Sequence, residues 1–499
     1  MRFLSFFLLI LLLSSSLIAQ KQASIIFRVK HGAGKKFAWK HHIEGKHWPA
    51  FPKEDTLNAS GEFSLPNDQT VAGYYSFIYK GRPYKLFVEP GRKYAITVDT
   101  ANQEHPFSID AADKEGQMAY TWLKWEFCQN VASRIYRQDT VFTSIKQKVI
   151  KSMDSCLQPF VQLNTAHKIS KTFYTHAACV IKNYYASVLA ASLCPRVIKT
   201  VYNKDSAGYD AAKVEQLIAD WHEVEKIADL KDPVAMSTNT YYDYFYFYNT
   251  FYTGYVLYLK AGNQIVNCRD NSDQWYYNVL KFFTKEPLRE YWMAVSLDNY
   301  ILESRFQEFI PGLYKEFVKQ YPRSRYIKYL TEGVENVKQF LVAEKNINPN
   351  HHFVQEADSI STVEELLSRF KGKTIYIDLW ATWCGPCKTQ FAFKNELDTF
   401  LKSKGVEVLY ISIDRLESEG KWKNMIRFYN LEGYHIRASW KLTSNIYQVF
   451  NSDLPNDLSR NWGLSIPRYA ICKDGKIIID KAKQPGDKEE LYKQIESVL

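Results

Sequence analysis

Cysteine is scarce in this chain. Eight occur in 499 residues, at positions 128, 156, 179, 194, 268, 384, 387 and 472. A secreted disulfide scaffold is far denser, so stability must come from ordinary apolar cores. A chain of this length that is 46% hydrophobic can build them, and that content excludes global disorder. Long apolar runs are also wanting. Beyond the first 19 residues none approaches the ~20 residues a helix needs to cross a bilayer, which excludes a multi-span transporter. There is no arginine-rich arm, basic helix face or nucleic-acid motif. The surplus of 64 Lys+Arg over 54 Asp+Glu is spread along the chain, so no nucleic-acid partner is expected. No repeat of fixed period is visible, which argues against a solenoid.

What is present begins with Met1 to Ala19. Arg2 supplies a charged start, Phe3 to Leu13 an apolar run, and Leu17-Ile18-Ala19 a small residue at a cut. This is the layout of a secretory signal peptide, with cleavage expected after Ala19 and Ala23 as a second site. An uncleaved anchor is the other reading, because Phe3 to Ala19 almost spans a thin bilayer. No cysteine follows until Cys128, so a lipid-attachment site is missing. The expected location is the periplasm.

Length suggests roughly three domains. Residues 22–110 read as an all-β, sandwich-like domain: short β-branched and aromatic runs at Ser24–Val29, Phe37–His42, Glu62–Leu65, Val71–Tyr79, Tyr84–Val88 and Tyr94–Val98, separated by turn residues. Residues 112–345 turn helical. Ile310, Leu313, Tyr314, Phe317, Val318 and Tyr321 mark one helix face, Pro322 ends it, and Tyr326, Leu330, Val334, Val337 and Leu341 begin the next, a helical hairpin. Glu344–His352 is a polar linker. From 353 to 499 strands and helices alternate, which predicts a three-layer α/β domain. Its elements are a buried strand Thr374–Trp380, a helix from Pro386 to about Leu401, a strand Val406–Ile413 and a helix Lys421–Tyr429. A hairpin Arg468–Cys472/Lys476–Asp480 and a closing helix Asp487–Leu499 complete it.

Three features invite a functional reading and have a plain one. Tyr241, Tyr244, Phe245, Tyr248, Phe251, Tyr252 and Tyr255 share a helical face. They read as a packed helix interface, or as a groove that stacks a peptide or sugar. His351-His352 reads as a solvated pair, since adjacent residues diverge and no further metal ligands are evident. Six scattered cysteines allow fifteen complete pairings, and buried free thiols are the simpler reading.

Cys384 and Cys387 stand apart, three residues from each other. A CxxC is weak evidence alone, but here a buried strand runs into Ala381-Thr382-Trp383-Cys384-Gly385-Pro386-Cys387-Lys388 and a helix opens at the motif. A thiolate is the nucleophile in thiol chemistry, and a free Cys has pKa about 8.5. Helix N-terminal N–H groups favour an anion by about 0.3–2 kcal/mol, enough to bring Cys384 toward neutral pH. Pro386 suits a first turn, where its missing N–H leaves no bond unmade. Gly385 leaves room for a partner chain, and Cys387, one turn on, can reach Cys384.

The segment resembles the thioredoxin family through Asp378, Trp380, Ala381, Trp383, Cys384, Gly385, Pro386, Cys387 and Lys388. A second match is Trp462-Gly463-Leu464-Ser465-Ile466-Pro467, followed by a strand and a Lys-Asp-Gly turn. The long segment from Leu431 to Trp462 and the export signal look more like the TlpA/ResA-type extracytoplasmic branch. The order of β module, helical region and thioredoxin-like domain is similar to exported TlpA-like disulfide reductases of Bacteroidota. The resemblance implies that Cys384 attacks a substrate disulfide and Cys387 resolves the mixed disulfide. It implies that Asp378 takes up and returns the proton of Cys387, and that Pro467 follows a cis bond. Trp383, Gly385, Pro386, Ile466 and Pro467 would line the substrate chain. No metal or organic cofactor is implied beyond the redox-active Cys384–Cys387 disulfide.

Two departures stand out. Asp414 aligns with an acidic residue ending the third family strand, and four residues earlier, where thioredoxins proper carry a lysine paired with the buried Asp, stands Tyr410. Cys472 sits where relatives often have Asp, and reads either as a third redox thiol or as an inert strand-end thiol. A peroxiredoxin would want Pro and Thr where Ile377 and Ala381 stand, and no CxxCH haem site exists. The expectation is thus an exported thiol–disulfide oxidoreductase that reduces disulfides of other envelope proteins and is recharged by a membrane thiol–disulfide electron donor. A net oxidase or isomerase, and a non-catalytic envelope binding protein, are the alternatives. Substrate and oligomeric state are not readable.

Overall fold

The computed structural model describes residues 24–43, 45–48, 52–123, 125–201, 210–257, 260, 286, 288–302, 306–450 and 465–499. The signal segment, Cys268 and Trp462 to Leu464 lie outside the described residues. The chain divides into two compact units, Met1–Val295 and Ser296–Leu499.

The first unit opens with two four-stranded sheets. One has the order β4(Glu62–Pro66)-β1(Ser24–Val29)-β7(Tyr94–Val98)-β8(Phe107–Asp110), the other β3(Lys53–Thr56)-β2(Lys36–His41)-β5(Gly73–Tyr79)-β6(Arg82–Val88). Strand alternation builds the shared core: Ile25, Phe27 and Val29 point inward from β1 and meet Phe37, Phe77, Leu86 and Ile96. Strand β3 escaped sequence reading. Its KEDT is exposed along its whole length, the charged composition of a protected sheet edge rather than of a core strand.

The helical region follows as α1(Lys114–Trp122), α2(Cys128–Gln138), α3(Phe142–Thr165), α4(Lys171–Val201), α5(Ala211–Glu225), α6(Thr240–Phe247) and α7(Leu288–Leu302). Gln117 on α1 completes the open edge of β6: its side chain accepts from the Phe87 N–H (3.0 Å) and donates to the Phe87 carbonyl (2.7 Å). Helix α4 is long and apolar enough to cross a membrane by length and composition, unlike what the run-length reading suggested. It is the buried centre of the region, with Ile181, Leu189, Leu193 and Val197 fully covered.

The aromatic stretch does not run as one straight helical face. After α6 the backbone widens into a π-helix, Tyr248–Leu257, whose i→i+5 bonding turns successive side chains off the 3.6-residue row. Phe247, off the expected face, is buried, whereas Phe251 and Tyr255 are only half-buried. Phe245 stacks on Trp292 at 3.7 Å and Tyr252 on Trp221 at 5.5 Å. These rings pack helices together.

In the second unit, α8(Ile310–Gln320) and α9(Ile327–Val342) form the expected hairpin, burying Leu313 and Phe317 against Leu330 and Val334. The α/β domain then adds β9(His351–Phe353), α10(Val363–Ser368), β10(Thr374–Trp380), α11(Gly385–Gln390), α12(Lys394–Ser403), β11(Val406–Ser412) and α13(Glu419–Tyr429). It closes with β12(Gly433–Arg437), α14(Trp440–Phe450), β13(Arg468–Lys473), β14(Lys476–Ile479) and α15(Glu489–Glu496). The sheet order is β14-β13-β10-β11-β12-β9, with β13 running antiparallel to both of its neighbours, β10 and β14, and the other pairs parallel. This is the thioredoxin-like fold. His351 and His352, expected at the end of a linker, enter edge strand β9, where their rings contact His435 and Tyr434.

Alternation on β10 divides the site from the core. Ile375, Ile377 and Leu379 pack with Leu366, Leu442 and Ile446 of α10 and α14. Tyr376, Asp378 and Trp380 face the other layer, where Phe391 meets Trp380 and Tyr410. The helix expected from Pro386 to about Leu401 is broken by a 3₁₀ turn, Phe391–Phe393. No proline stands there. The backbone tightens where Phe391 buries its ring and where Gln390 accepts the Gly486 N–H (2.9 Å).

Candidate active site

Strand β10 ends at Trp380, and three residues lead from it to Cys384, the N-cap of α11. The Cys384 sulfur accepts the Cys387 N–H at 3.1 Å, so the motif's own backbone holds the sulfur at the helix start. Pro386 lies in the first turn. Cys384 and Cys387 are joined in a disulfide, with Cα atoms 5.4 Å apart. Cys387 is fully buried and Cys384 is 3% exposed. Trp383, by contrast, is 61% exposed. Space beside Gly385 is open: a Cβ there would meet nothing within 4 Å.

The approach to Cys384 is clamped by a buried polar cluster. The Asp414 carboxylate accepts from the Thr382 N–H (2.8 Å), the Thr382 hydroxyl (2.7 Å) and the Ser412 hydroxyl (2.7 Å). Lys388 Nζ donates to the Thr382 carbonyl (3.0 Å). All four side chains are buried. Sequence reading noted Asp414 and Lys388 but not their shared hold on Thr382. The available signal was an acid closing the strand next to β10.

Asp378 is buried on the face opposite the apolar core, and its Oδ1 has no hydrogen-bond partner. In the ladder it stands beside Tyr410 of β11 and Tyr469 of β13. Burial among these rings, with no compensating cation, pushes its carboxyl up to about 8. Tyr410 stacks on His435 at 5.1 Å. That imidazole is itself driven down to about 3, chiefly by burial, and stays neutral.

The Ile466–Pro467 peptide bond is cis, as the resemblance led one to expect. Both residues are half-buried, and Ile466 packs against the domain core. Cys472 lies fully buried in that core, and burial pushes its thiol up to about 11. Its burial favours the reading as an inert strand-end thiol over a third redox group. Among the described residues, Cys128, Cys156, Cys179, Cys194 and Cys472 are free, and no cluster of His, Cys, Asp or Glu is arranged to hold a metal.

The Redoxin family pattern matches residues 353–498. The thiol-disulfide oxidoreductase ResA of Bacillus thuringiensis subsp. konkukian is 31% identical over 134 residues, covering 26% of this chain and 67% of that protein. Among solved structures, a thiol-disulfide oxidoreductase from Bacteroides vulgatus is 30% identical, covering 26% of this chain and 78% of the other, with a TM-score of 0.21. The thioredoxin domain of a second B. vulgatus thiol-disulfide oxidoreductase is 21% identical, covering 26% and 83%, with a TM-score of 0.20. With a matched relative over two thirds of its length, and the disulfide-capped helix in place on the sheet, this chain belongs to the thioredoxin superfamily as a TlpA/ResA-like member.

Proposed function

We propose that the protein is an exported thiol–disulfide oxidoreductase that reduces disulfides of other envelope proteins through Cys384 and Cys387. The observation that carries this reading is the closed Cys384–Cys387 disulfide at the start of α11, on the domain whose sheet holds a buried Asp378 with an unpartnered Oδ1.

In the reduced form, the Cys384 thiolate attacks one sulfur of a substrate disulfide. The other substrate sulfur leaves as a thiolate, and a mixed disulfide remains. Cys387 gives its proton to Asp378 and attacks the Cys384 sulfur. The second substrate thiolate departs, carrying away the electron pair of the broken bond. The substrate has gained two electrons and the protein holds the disulfide seen here. Asp378 suits the proton step because its raised pKa keeps it near the working pH, where an acid–base group exchanges protons most effectively. Trp383, Gly385, Pro386, Ile466 and Pro467 line the substrate chain. The exchange is chemically complete without metal or organic cofactor. A membrane thiol–disulfide donor returns the two electrons, since the outer compartment supplies none.

The test is insulin-disulfide reduction by the full chain, with Cys384→Ser alongside, and redox-buffered thiol trapping of the pair. Turnover that vanishes in Cys384→Ser, with a midpoint below roughly −230 mV, supports the reading. Turnover that survives the substitution overturns the enzyme assignment. A midpoint near about −120 mV reverses the direction of electron flow.

A further inference from the structure

Two cavities in the first unit lie along one stripe of α4. Lys171, Tyr174, Thr175, Ala178, Cys179 and Lys182 follow the i, i+3, i+4, i+7, i+8, i+11 spacing of a single helix face. The first cavity, about 700 Å³, is walled by Lys171 and Tyr174 together with Arg92, Asp113 and His167. The second, about 400 Å³, is walled by Tyr174, Cys179 and Asn183 together with Asp229 and Asp232. Tyr174 and Thr175 belong to both walls, so the two spaces adjoin as one groove. Each cavity has a buried oxygen without a partner in its wall. Asp113 is 3% exposed and Asn183 1% exposed, and the Oδ1 of each accepts no hydrogen bond. Their other side-chain atoms are engaged: Asp113 Oδ2 accepts from Gln117 Nε2 (3.1 Å), and Asn183 Nδ2 donates to the Cys179 sulfur (3.2 Å). An orphaned buried acceptor costs about 1–3 kcal/mol, and two in one groove point to a ligand that brings donors to both places.

The two ends of the groove differ in charge. At the first, the Ser170 hydroxyl accepts the Phe173 N–H (2.9 Å) and caps the 31-residue α4, whose positive end lies there beside Lys168, Lys171 and His167. Lys168 is paired with Glu115, whereas Lys171 makes no ion pair among the described residues. At the second end, Glu225, Asp229 and Asp232 outnumber Lys182 and Lys226, and Lys226 is already paired with Glu223. We propose that this groove binds a short free peptide by both its termini. The carboxylate lies at the start of α4 with Lys171, the ammonium with Asp229 and Asp232, and N–H groups between them donate to Oδ1 of Asp113 and of Asn183. Burial raises the Asp113 carboxyl above its ordinary range, which weakens its repulsion of a carboxylate bound nearby. From Lys171 to Lys182 the helix rises about 16 Å, the span of about five extended residues. A neutral saccharide would satisfy both oxygens but leave the separation of charge unused. This site goes beyond the disulfide chemistry and does not depend on it.

The experiment is calorimetric titration of the full chain with the pentapeptide Ala-Gly-Ser-Gly-Ala, its N-acetyl form, its C-terminal amide, and maltotriose. Each capped form should bind about tenfold more weakly than the free peptide, equal to about 1.4 kcal/mol. Two variants assign the ends. Lys171→Gln alters an exposed side chain, and Asp232→Asn keeps the oxygen that accepts the Val234 N–H (2.9 Å), so both leave the fold in place. Lys171→Gln should weaken the free peptide about tenfold and leave the affinity of the amide unchanged. Asp232→Asn should do the same to the free peptide and leave the N-acetyl form unchanged. No binding at millimolar peptide, equal affinity for free and capped forms, or binding that survives both variants overturns the proposal. Tighter binding of maltotriose than of the free peptide assigns the groove to a saccharide and also overturns it.

Discussion

Asp378 on β10 and Tyr410 on β11 are partners in the parallel ladder, side by side on the face of the sheet that looks toward the disulfide helix. Tyr469 closes the other flank from β13. Where thioredoxins proper were expected to offer a lysine, this chain offers two phenol rings. A phenol leaves the local charge at zero, and a buried acid with no countercharge stays protonated to a higher pH. The burial penalty therefore stands uncompensated, and the carboxyl moves from 3.8 to about 8.

That shift has a stability consequence with a definite sign. The folded pKa lies above the unfolded one, so between pH 4 and pH 8 the native state holds a proton that the unfolded state has released. The contribution of Asp378 is whole below about pH 4 and is lost as pH rises through about 8. At about 1.4 kcal/mol per pH unit, the loss between pH 4 and pH 7 is about 4 kcal/mol. Asp378→Asn cannot titrate. Urea unfolding of the oxidised protein should show the variant gaining on the natural chain steadily from pH 4 to pH 7. A difference independent of pH would mean that Asp378 is already ionised in the fold.

The same group sets a kinetic prediction. In its proposed role as acceptor of the Cys387 proton, Asp378 works only when ionised, and below its pKa that fraction rises about tenfold per pH unit. Resolution of a preformed mixed disulfide on Cys384 should accelerate with pH and level off above about 8. Asp378→Asn should slow it by about 100-fold and abolish that inflection. Stopped-flow release of a thiol reporter measures the step. An inflection that persists in the variant would assign it to the thiol.

The clamp on the motif predicts a different outcome. Asp414 holds both the N–H and the hydroxyl of Thr382. Removing the acid strands three buried donors, the N–H and hydroxyl of Thr382 and the hydroxyl of Ser412, each costing about 1–3 kcal/mol. Asp414→Ala should lose at least about 3 kcal/mol of unfolding free energy. Its Cys384–Cys387 pair should also be reached more readily by a water-soluble phosphine. An unchanged reduction rate would show that the clamp stabilises the domain without shaping the motif.

The parts legible in sequence were those written locally. A buried strand, a CxxC with Pro386 in its first turn and a run ending in Ile466-Pro467 each occupy a few consecutive residues. So do the alternating strands of the sandwich and the hairpin of α8 and α9. What escaped depends on register or on distant partners. Thr382 and Asp414 are 32 residues apart in sequence, and nothing near either names the other. Tyr469 becomes a neighbour of Asp378 only through antiparallel pairing with β13, and a one-residue slip would turn it to the opposite face. The π-helix was hidden for a related reason. Aromatic spacing fits an α-helical face on paper, whereas Trp221 and Trp292, which receive those rings, come from other helices.

The Tyr410 position offers the sharpest test of what governs Asp378. Replacing a neutral neighbour with an ammonium gives the carboxylate an opposite charge, which lowers a pKa by about 1–3 units. Tyr410→Lys should therefore move the inflection in the resolution rate from about 8 toward neutrality and flatten the loss of stability with pH. The substitution also empties space against Phe391 and His435, so the variant should be less stable at every pH. Tyr410→Leu controls for that loss: it removes the ring without adding charge and should leave the inflection near 8. If Tyr410→Lys and Tyr410→Leu titrate alike, the raised pKa does not depend on what faces Asp378 across the ladder. Depth of burial alone would then set it, and the missing lysine would have no bearing on proton transfer in this chain.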